Sequence, residues 1–531
     1  MATERKGESL TMENGGCDDL EPLPFIGRPA IDRELQKADE ALAAIEQSAK
    51  QMRKKLRQQA KTIKDLITSN GGQPIVTAPL SEEIEINVGG TVLCVPRKPL
   101  LLPGVSDSFI AYLLLHHLDG LPKDTDGHPF LDADPNYIDW LFNEVASVGV
   151  ADAQAETTEI VLTPPHDSDS SSLFWHEFLF TTITGLDIDM PTDPPPRADD
   201  DHMEVDDQQQ QEAREQQQDH EGWNDEGESE DAADHLVDLH NSIASLDASV
   251  GRLGGVEADL VWFHKLVKRL LATDEGGEGD EIKSVRVMGK TVSTTEATLA
   301  RVGSDKLLYR TFHSGAPVIS ISPSHLMKVV DFARRQRIAP FDTLVMPPTS
   351  TRTKQIRTDT EMHGLKYEPL CSGVAGGNLV IETAEEWGEV LNMTGNTSPM
   401  PSLLYKSSRD TFAYPSFLDK VVGKSGLLFA LRHGDTHRFG CFVDGEVKLP
   451  ADPTKTNGYE APVFLYALSG AYETPTKIEV PEEDRQMVSV AGTQGVVEND
   501  EGQPRANGKG TLAQSKDFTC DEMEVWQVVS G

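Results

Sequence analysis

Several groups in this chain have residue types and spacings that could do chemistry. Asp132 and Asp134, in "FLDADPNYIDWL", are carboxylates at i and i+2, a spacing that could serve general acid–base work. The same two residues stand beside a proline and ahead of a helical stretch, where they could cap free N–H groups. No His or Lys nearby completes an acid–base set, so capping is the preferred reading. Gly89, Gly90 and Thr91, in "EIEINVGGTVLCVPRKPLLL", look at first like a phosphate loop. A phosphate loop needs G-x-x-x-x-G-K-[ST] opening a helix. Here there is no second glycine at that spacing and no Lys-Ser/Thr. Apolar alternation runs through Ile84, Ile86 and Val88 and resumes at Val92 and Cys94, so the glycines belong to a turn between two strands.

Near the C-terminus the reactive types are Ser407, Ser408, His433, His437, Cys441 and Glu524. Cys441, in "HRFGCFV", has His437 and Arg438 close by, which could lower its pKa and make a redox thiol. The alternative is a small strand residue, with Phe439, Cys441 and Val443 on one face and Gly440 and Phe442 on the other. The strand reading is preferred. Glu524, framed by Met523 and Val525, is expected to be a buried, paired carboxylate, a role more often structural than catalytic. His116 and His117 are adjacent and point apart on a helix, so they do not converge on a metal.

Composition limits what these groups can serve. The 531 residues carry a formal net charge of −39 and an estimated pI of 4.7, which opposes nucleic acid and anionic membrane surfaces as partners. No run of about eighteen apolar residues occurs, so no membrane span is expected. Cys17, Cys94, Cys371, Cys441 and Cys520 are scattered without metal-ligand spacing. They fit a reducing compartment, the cytoplasm or the nucleus, and no metal or cofactor is implied. The N-terminus has no apolar stretch behind its basic residues, so no secretory signal is expected.

The elements that must position these groups form a multidomain α+β chain. Residues 29–68 repeat apolar positions in steps of three and four (Leu35, Leu42, Ala49, Leu56 and Ile63; Ile31, Ala38, Ile45, Met52 and Leu66), with Gln59 interrupting the second row. That pattern predicts a coiled coil. A globular module is expected over 81–150. Residues 151–234 are rich in acid, glutamine and proline and read as a mostly disordered linker. Within it, "SLFWHEFLFTTI" (172–183) is an apolar island that could pack back on the preceding module. A helix broken near Gly254 and Gly255, then a second mixed module, fill 235–345. A linker, "MPPTSTRTKQIRTDTEMHG", leads to a β-rich region over 365–531.

Two of these regions resemble known families. Asn87, Val88, Gly89, Gly90, Arg97, Leu100, Asp126, Gly127, Phe130, Asp132, Asp134 and Pro135 fall where the potassium-channel tetramerisation branch of the BTB superfamily has its N-V-G-G hairpin and D-G-x-x-F-I-D-R-D-P motif. Ala133 stands in place of that family's arginine, and "VPRKPLLLPGVSDS" in place of its "TxRxTL". The resemblance implies an α/β BTB-type module that joins copies of the chain. Many BTB proteins are adaptors of cullin-type ubiquitin ligases, which is the alternative role. The family's zinc-binding His and Cys cluster has no match. "IKSVRVMGKTVSTTEATLARV", with Gly289, Thr295 and Leu299, resembles the same hairpin plan more distantly.

Leu403, Leu404, Tyr405, Arg432, Phe439, Gly440, Phe442, Phe464, Leu465, Leu468, Phe518, Glu524, Val525 and Trp526 fall in the order of a TLDc domain. The passage between Ile478 and Gly510 is shorter than that family's. The resemblance implies protection against oxidative damage and binding to a vacuolar proton-pumping ATPase subunit, with no agreed catalytic mechanism. Together these readings predict a non-enzymatic, self-associating scaffold in the cytoplasm, with a coiled coil and BTB-type module displaying a TLDc-like domain.

Overall fold

The computed structural model describes residues 28–74, 79, 82–102, 104–151, 162, 170–180, 228–271, 281–316, 318, 320–372, 374, 378–395, 401–478, 480, 488–491, 505–506, 510–511 and 520–528. The expectation of disorder over 151–234 lies mostly outside these residues. The chain divides into two compact units, residues 1–61 with 221–251, and residues 62–220 with 252–531.

The first unit is drawn mainly from two long helices, α1 (Arg28–Ser69), whose range agrees with the heptad run, and α5 (Glu228–Val267). On α1, Ile45, Ala49, Met52, Leu56 and Gln59 are half-buried while the residues between them are mostly exposed, so the three-and-four spacing does mark one face. Gln59, the polar break in that row, donates its Nε2 to the Val250 carbonyl of α5 at 3.4 Å. Helix α5 begins before residue 235 and runs unbroken through Gly254 and Gly255, against expectation. Two glycines cost a helix about 1 kcal/mol each. The buried row Val256, Leu260, Phe263 and Val267 follows the helical period and offsets that cost.

The second unit opens with a hairpin, β1 (Glu83–Val88) and β2 (Thr91–Pro96), in which Val88 pairs with Thr91 across the two glycines. Both glycines have positive φ, 57° and 104°, as a two-residue hairpin loop requires. Helix α2 (Phe109–His116), strand β3 (Phe130–Leu131) and helix α3 (Pro135–Ala151) complete this module, with β3 parallel to β1. A second hairpin, β4 (Ile282–Val287) and β5 (Lys290–Thr295), repeats the register: Val287 pairs with Lys290, and Val318 bridges Val287 in parallel as Leu131 pairs with Val88. After it come α6 (Glu296–Val302), α7 (Leu307–His313) and α8 (Pro323–Ile338). One apolar core runs through both modules.

The apolar island forms a helix, α4 (Ser170–Leu179), that packs on α2, α3 and also α8, so it holds both modules rather than the first alone. Asp331 on α8 accepts hydrogen bonds from Ser171 Oγ (2.6 Å), Trp175 Nε1 (2.7 Å) and Arg335 Nε (2.8 Å). The stretch expected as a linker after residue 345 contains α9 (Thr353–Met362), whose buried Ile356, Asp359 and Thr360 pack on α8. Alternation of threonine with basic residues hid that buried face.

The β-rich expectation holds for the C-terminal region. Strands β6 (Ser402–Lys406), β7 (Leu427–His433), β8 (His437–Val443), β9 (Val463–Ser469), β10 (Thr476–Ile478) and β11 (Glu522–Gln527) form an antiparallel sheet in the order β10-β9-β8-β7-β11-β6. One face packs on a helix at Ala384–Thr394, the other on a helix at Tyr414–Val421. Among the described residues no helix is long and apolar enough to cross a membrane.

Candidate functional site

Part of the first module's motif, Asn87, Gly90, Asp126 and Gly127, gathers around the turn of its hairpin. Asn87 Oδ1 accepts the Gly90 N–H at 3.0 Å, and Asn87 Nδ2 donates to Asp124 Oδ2 at 2.8 Å. Asp124 Oδ1 in turn accepts the N–H groups of Asp126 and His128, both at 2.9 Å, around Gly127 at φ 90°. Asp124, Asp126 and His128 lie close enough to suggest a cation site, yet both Asp124 oxygens are already engaged in holding this turn. Val88 and Phe130 are core residues, and the Arg97 guanidinium lies 3.7 Å from the Glu82 carboxylate.

Asp134 and Asp132 turn out to have different roles. Asp134 Oδ1 accepts the Asn136 N–H at 3.0 Å at the start of α3, with Pro135 in the first turn, so it is the cap that the spacing predicts. Asp134→Ala is expected to lower stability by about 1 kcal/mol in urea denaturation. Asp132 does not cap. Its carboxylate is 3 % exposed and reaches into the second module. It accepts hydrogen bonds from Thr294 Oγ1 (2.8 Å), Thr295 Oγ1 (2.8 Å), Thr298 Oγ1 (2.6 Å) and Arg334 Nε (2.7 Å), with Arg337 Nη2 at 3.5 Å. Burial alone would raise this carboxyl, but Arg334, Arg337 and the threonine hydroxyls hold it below the usual carboxylate range. Arg334 Nη2 also donates to the Ser293 carbonyl, and the Ser293 N–H donates to the Gly89 carbonyl at 2.9 Å. The glycine turn of one module therefore rests on the second strand of the other.

A second polar cluster lies nearby. The Tyr112 hydroxyl of α2 stands between His264 Nε2 of α5 at 2.9 Å and His117 Nε2 at 3.1 Å. Burial, then the neighbouring His264 and His116, lower His117 to about 4; burial, then Lys268, do the same to His264. Both rings are thus neutral at pH 7.

In the C-terminal sheet, Glu524 is fully buried and paired, as expected. Its Oε1 takes the Lys406 ammonium at 2.6 Å and the Val380 N–H at 3.1 Å; its Oε2 takes Trp526 Nε1 at 3.1 Å. Burial outweighs Lys406 and pushes this carboxyl above its ordinary range. Lys406 also reaches Glu522 Oε2 at 3.2 Å, and Ser407 Oγ donates to Glu522 Oε1 at 2.5 Å. Every member has a partner, so the cluster ties β6 to β11. Trp526 meets Trp387 edge-on at 4.9 Å between ring centroids. Phe439 and Phe442 point to opposite sides of β8, and a side chain at Gly440 would come within 1.8 Å of the Phe429 carbonyl. Cys441 keeps some exposed surface, but burial pushes its thiol up to about 12, which opposes a reactive thiolate. His433 and His437 pair across β7 and β8 and do not meet Cys441 as a set.

The chain matches no family model and no curated protein. Arg334, Arg337, Lys406 and His264 are side chains of the buried polar clusters that the sequence analysis did not single out. A signal existed for the first two: Arg334 and Arg337 continue the row of Leu326 and Val330 at helical spacing, placing two cations on an apolar face. For Lys406 and His264 no local pattern marks the role.

Proposed function

We propose that the chain is a self-associating scaffold, in which two BTB-type modules build an assembly surface and a TLDc-like domain is displayed on it. The observation that supports this reading is a turn left uncovered. The turn of the first hairpin sits on β5 of the second module, whereas among the described residues nothing lies within 4 Å of a side chain placed at Gly289 in the equivalent turn, and Met288 beside it is 63 % exposed. The equivalent edge strand, β2, is also open, with Val92 47 % exposed. A contact that joins unlike surfaces and leaves one of each free is heterologous, and it continues from chain to chain until a ring closes. A cullin or a vacuolar ATPase subunit would be the client of such an assembly. Several copies of a weak binding domain on one assembly raise avidity without new contacts.

The test is the mass of the full chain in solution by sedimentation or light scattering. A discrete multiple of 58.1 kDa is expected. Met288→Glu, which places a charge on the free turn, is expected to reduce it to the single chain. A wild-type monomer at tens of micromolar would sink the reading.

A further inference from the structure

We propose that Ser350, His325 and Asp359 form a nucleophilic triad that transfers short acyl groups from carboxylic esters. His325 lies in the first turn of α8, where its N–H is held by the Ser322 hydroxyl at 3.2 Å. Its Nδ1 meets Asp359 Oδ2 of α9 at 2.6 Å, and its Nε2 meets Ser350 Oγ at 3.4 Å. These are the orienting and base contacts of a hydroxyl nucleophile, with the second at the loose end of the range found before substrate binds. The Asp359 Oδ1 accepts Gln355 Nε2 at 2.8 Å, which restrains the carboxylate while its other oxygen holds the ring. Ser350 Oγ accepts the Arg352 N–H at 3.2 Å, so its own proton is directed to the imidazole.

Two further features distinguish this arrangement from a simple pin between helices. A pin needs only the Asp359–His325 contact. Here the loop that carries Ser350 is also held at four successive carbonyls: Met346 by Arg335 Nη1 (2.7 Å), Pro347 by Ser170 Oγ (3.4 Å), Pro348 by the Tyr367 hydroxyl (2.9 Å) and Thr349 by Lys328 Nζ (2.6 Å). Rigid support of a nucleophile is what such chemistry requires. Arg352 stands at the N-cap of α9 with no side-chain cap, and among the described residues the Thr353 and Lys354 N–H groups have no hydrogen-bond partner, so they are the donors that would answer an oxyanion. His325 and Asp359 are buried, whereas Ser350 is half-buried between exposed Thr349 and Thr351, so the nucleophile is the member of the set nearest solvent, where a short acyl group would reach it.

In the reaction Ser350 Oγ bonds to the acyl carbon as its proton passes to His325 Nε2. The bond from that carbon to the alcohol oxygen breaks, and the alcohol leaves with the proton. Water then attacks the Ser350 ester, giving a proton to Nε2 that returns to Oγ, and the carboxylic acid departs. Asp359 is a positioning residue that keeps Nε2 facing the serine.

The test uses the full chain, a fluorophosphonate probe and p-nitrophenyl acetate. A covalent adduct on Ser350, located by peptide mass spectrometry, is expected, with ester turnover lost in Ser350→Ala. His325→Gln should slow labelling about 100-fold or more. Asp359→Asn should slow it and displace the pH at which the native rate rises. Thermal melting identifies any variant that has not folded; Ser350→Ala and the pH profile of the native chain then carry the test alone. No adduct on Ser350 in the folded native chain, or labelling as fast in folded His325→Gln, overturns the proposal.

Discussion

Asp132→Ala is expected to lower the stability of the chain by about 3–5 kcal/mol, measured as a fall in the urea midpoint. The size follows from what is left behind. Arg334 is 1 % exposed, and without Asp132 its guanidinium keeps a buried charge with only a carbonyl to answer it. Three threonine hydroxyls lose their acceptor in the same step. Asp132→Asn retains part of the hydrogen bonding and should lose less. Asp132→Leu combined with Arg334→Met removes both charges and should recover much of the deficit, because a buried pair is worth little against an apolar replacement. The damage should appear first between the modules, as protease cleavage in the segment joining them. A loss below about 1 kcal/mol in Asp132→Ala would mean that the carboxylate is not the clasp described above.

Mild acid is expected to destabilise the fold between pH 6.5 and about 4, through His117 and His264. Each ring titrates near 6.5 when unfolded and near 4 when buried beside Tyr112. In that window the unfolded chain binds more protons than the folded one, so stability is full above the window and falls as pH drops through it. The upper limit is about 3 kcal/mol per ring. Allowing for partial solvent access, roughly 2 kcal/mol each is expected. His176, bonded to Tyr137 and also lowered to about 4 by burial, and His116, lowered by burial, add slopes of the same sign. Asp132 acts only below its ordinary range and does not contribute here. The measurement is urea unfolding at pH 7 and pH 5 for the native chain and for His117→Gln/His264→Asn. An unchanged pH slope in the double variant would exclude these rings as its cause.

Much of the local structure was legible because period and turn chemistry are local. The heptad steps marked α1, alternation broken by two glycines marked the first hairpin, and proline after Asp134 marked the start of α3. Three features were not legible, each for a physical reason. Asp132 has the same residue type as its capping neighbour, and its partners Thr294, Thr298 and Arg334 lie more than 160 positions away. Gly254 and Gly255 weaken a helix locally, yet burial of the face formed by Val256 and Leu260 decides the outcome. Ser350, His325 and Asp359 belong to a loop and two helices, and nothing in "PTSTRTK" announces that a histidine 25 residues earlier faces it.

The clasp at Asp132 also has a consequence for counting. Two copies of one structural plan are joined in a single chain by contacts that elsewhere could form between chains, and the second strands differ at the contact. Thr294 and Thr295 of the second module correspond by hairpin register to Val95 and Pro96 of the first. The free surface therefore cannot repeat the hydroxyl clasp, and the two kinds of junction are chemically distinct. A closed ring of the kind proposed would contain an even number of modules and carry one C-terminal sheet domain for every two of them. Its valency would be half its module number.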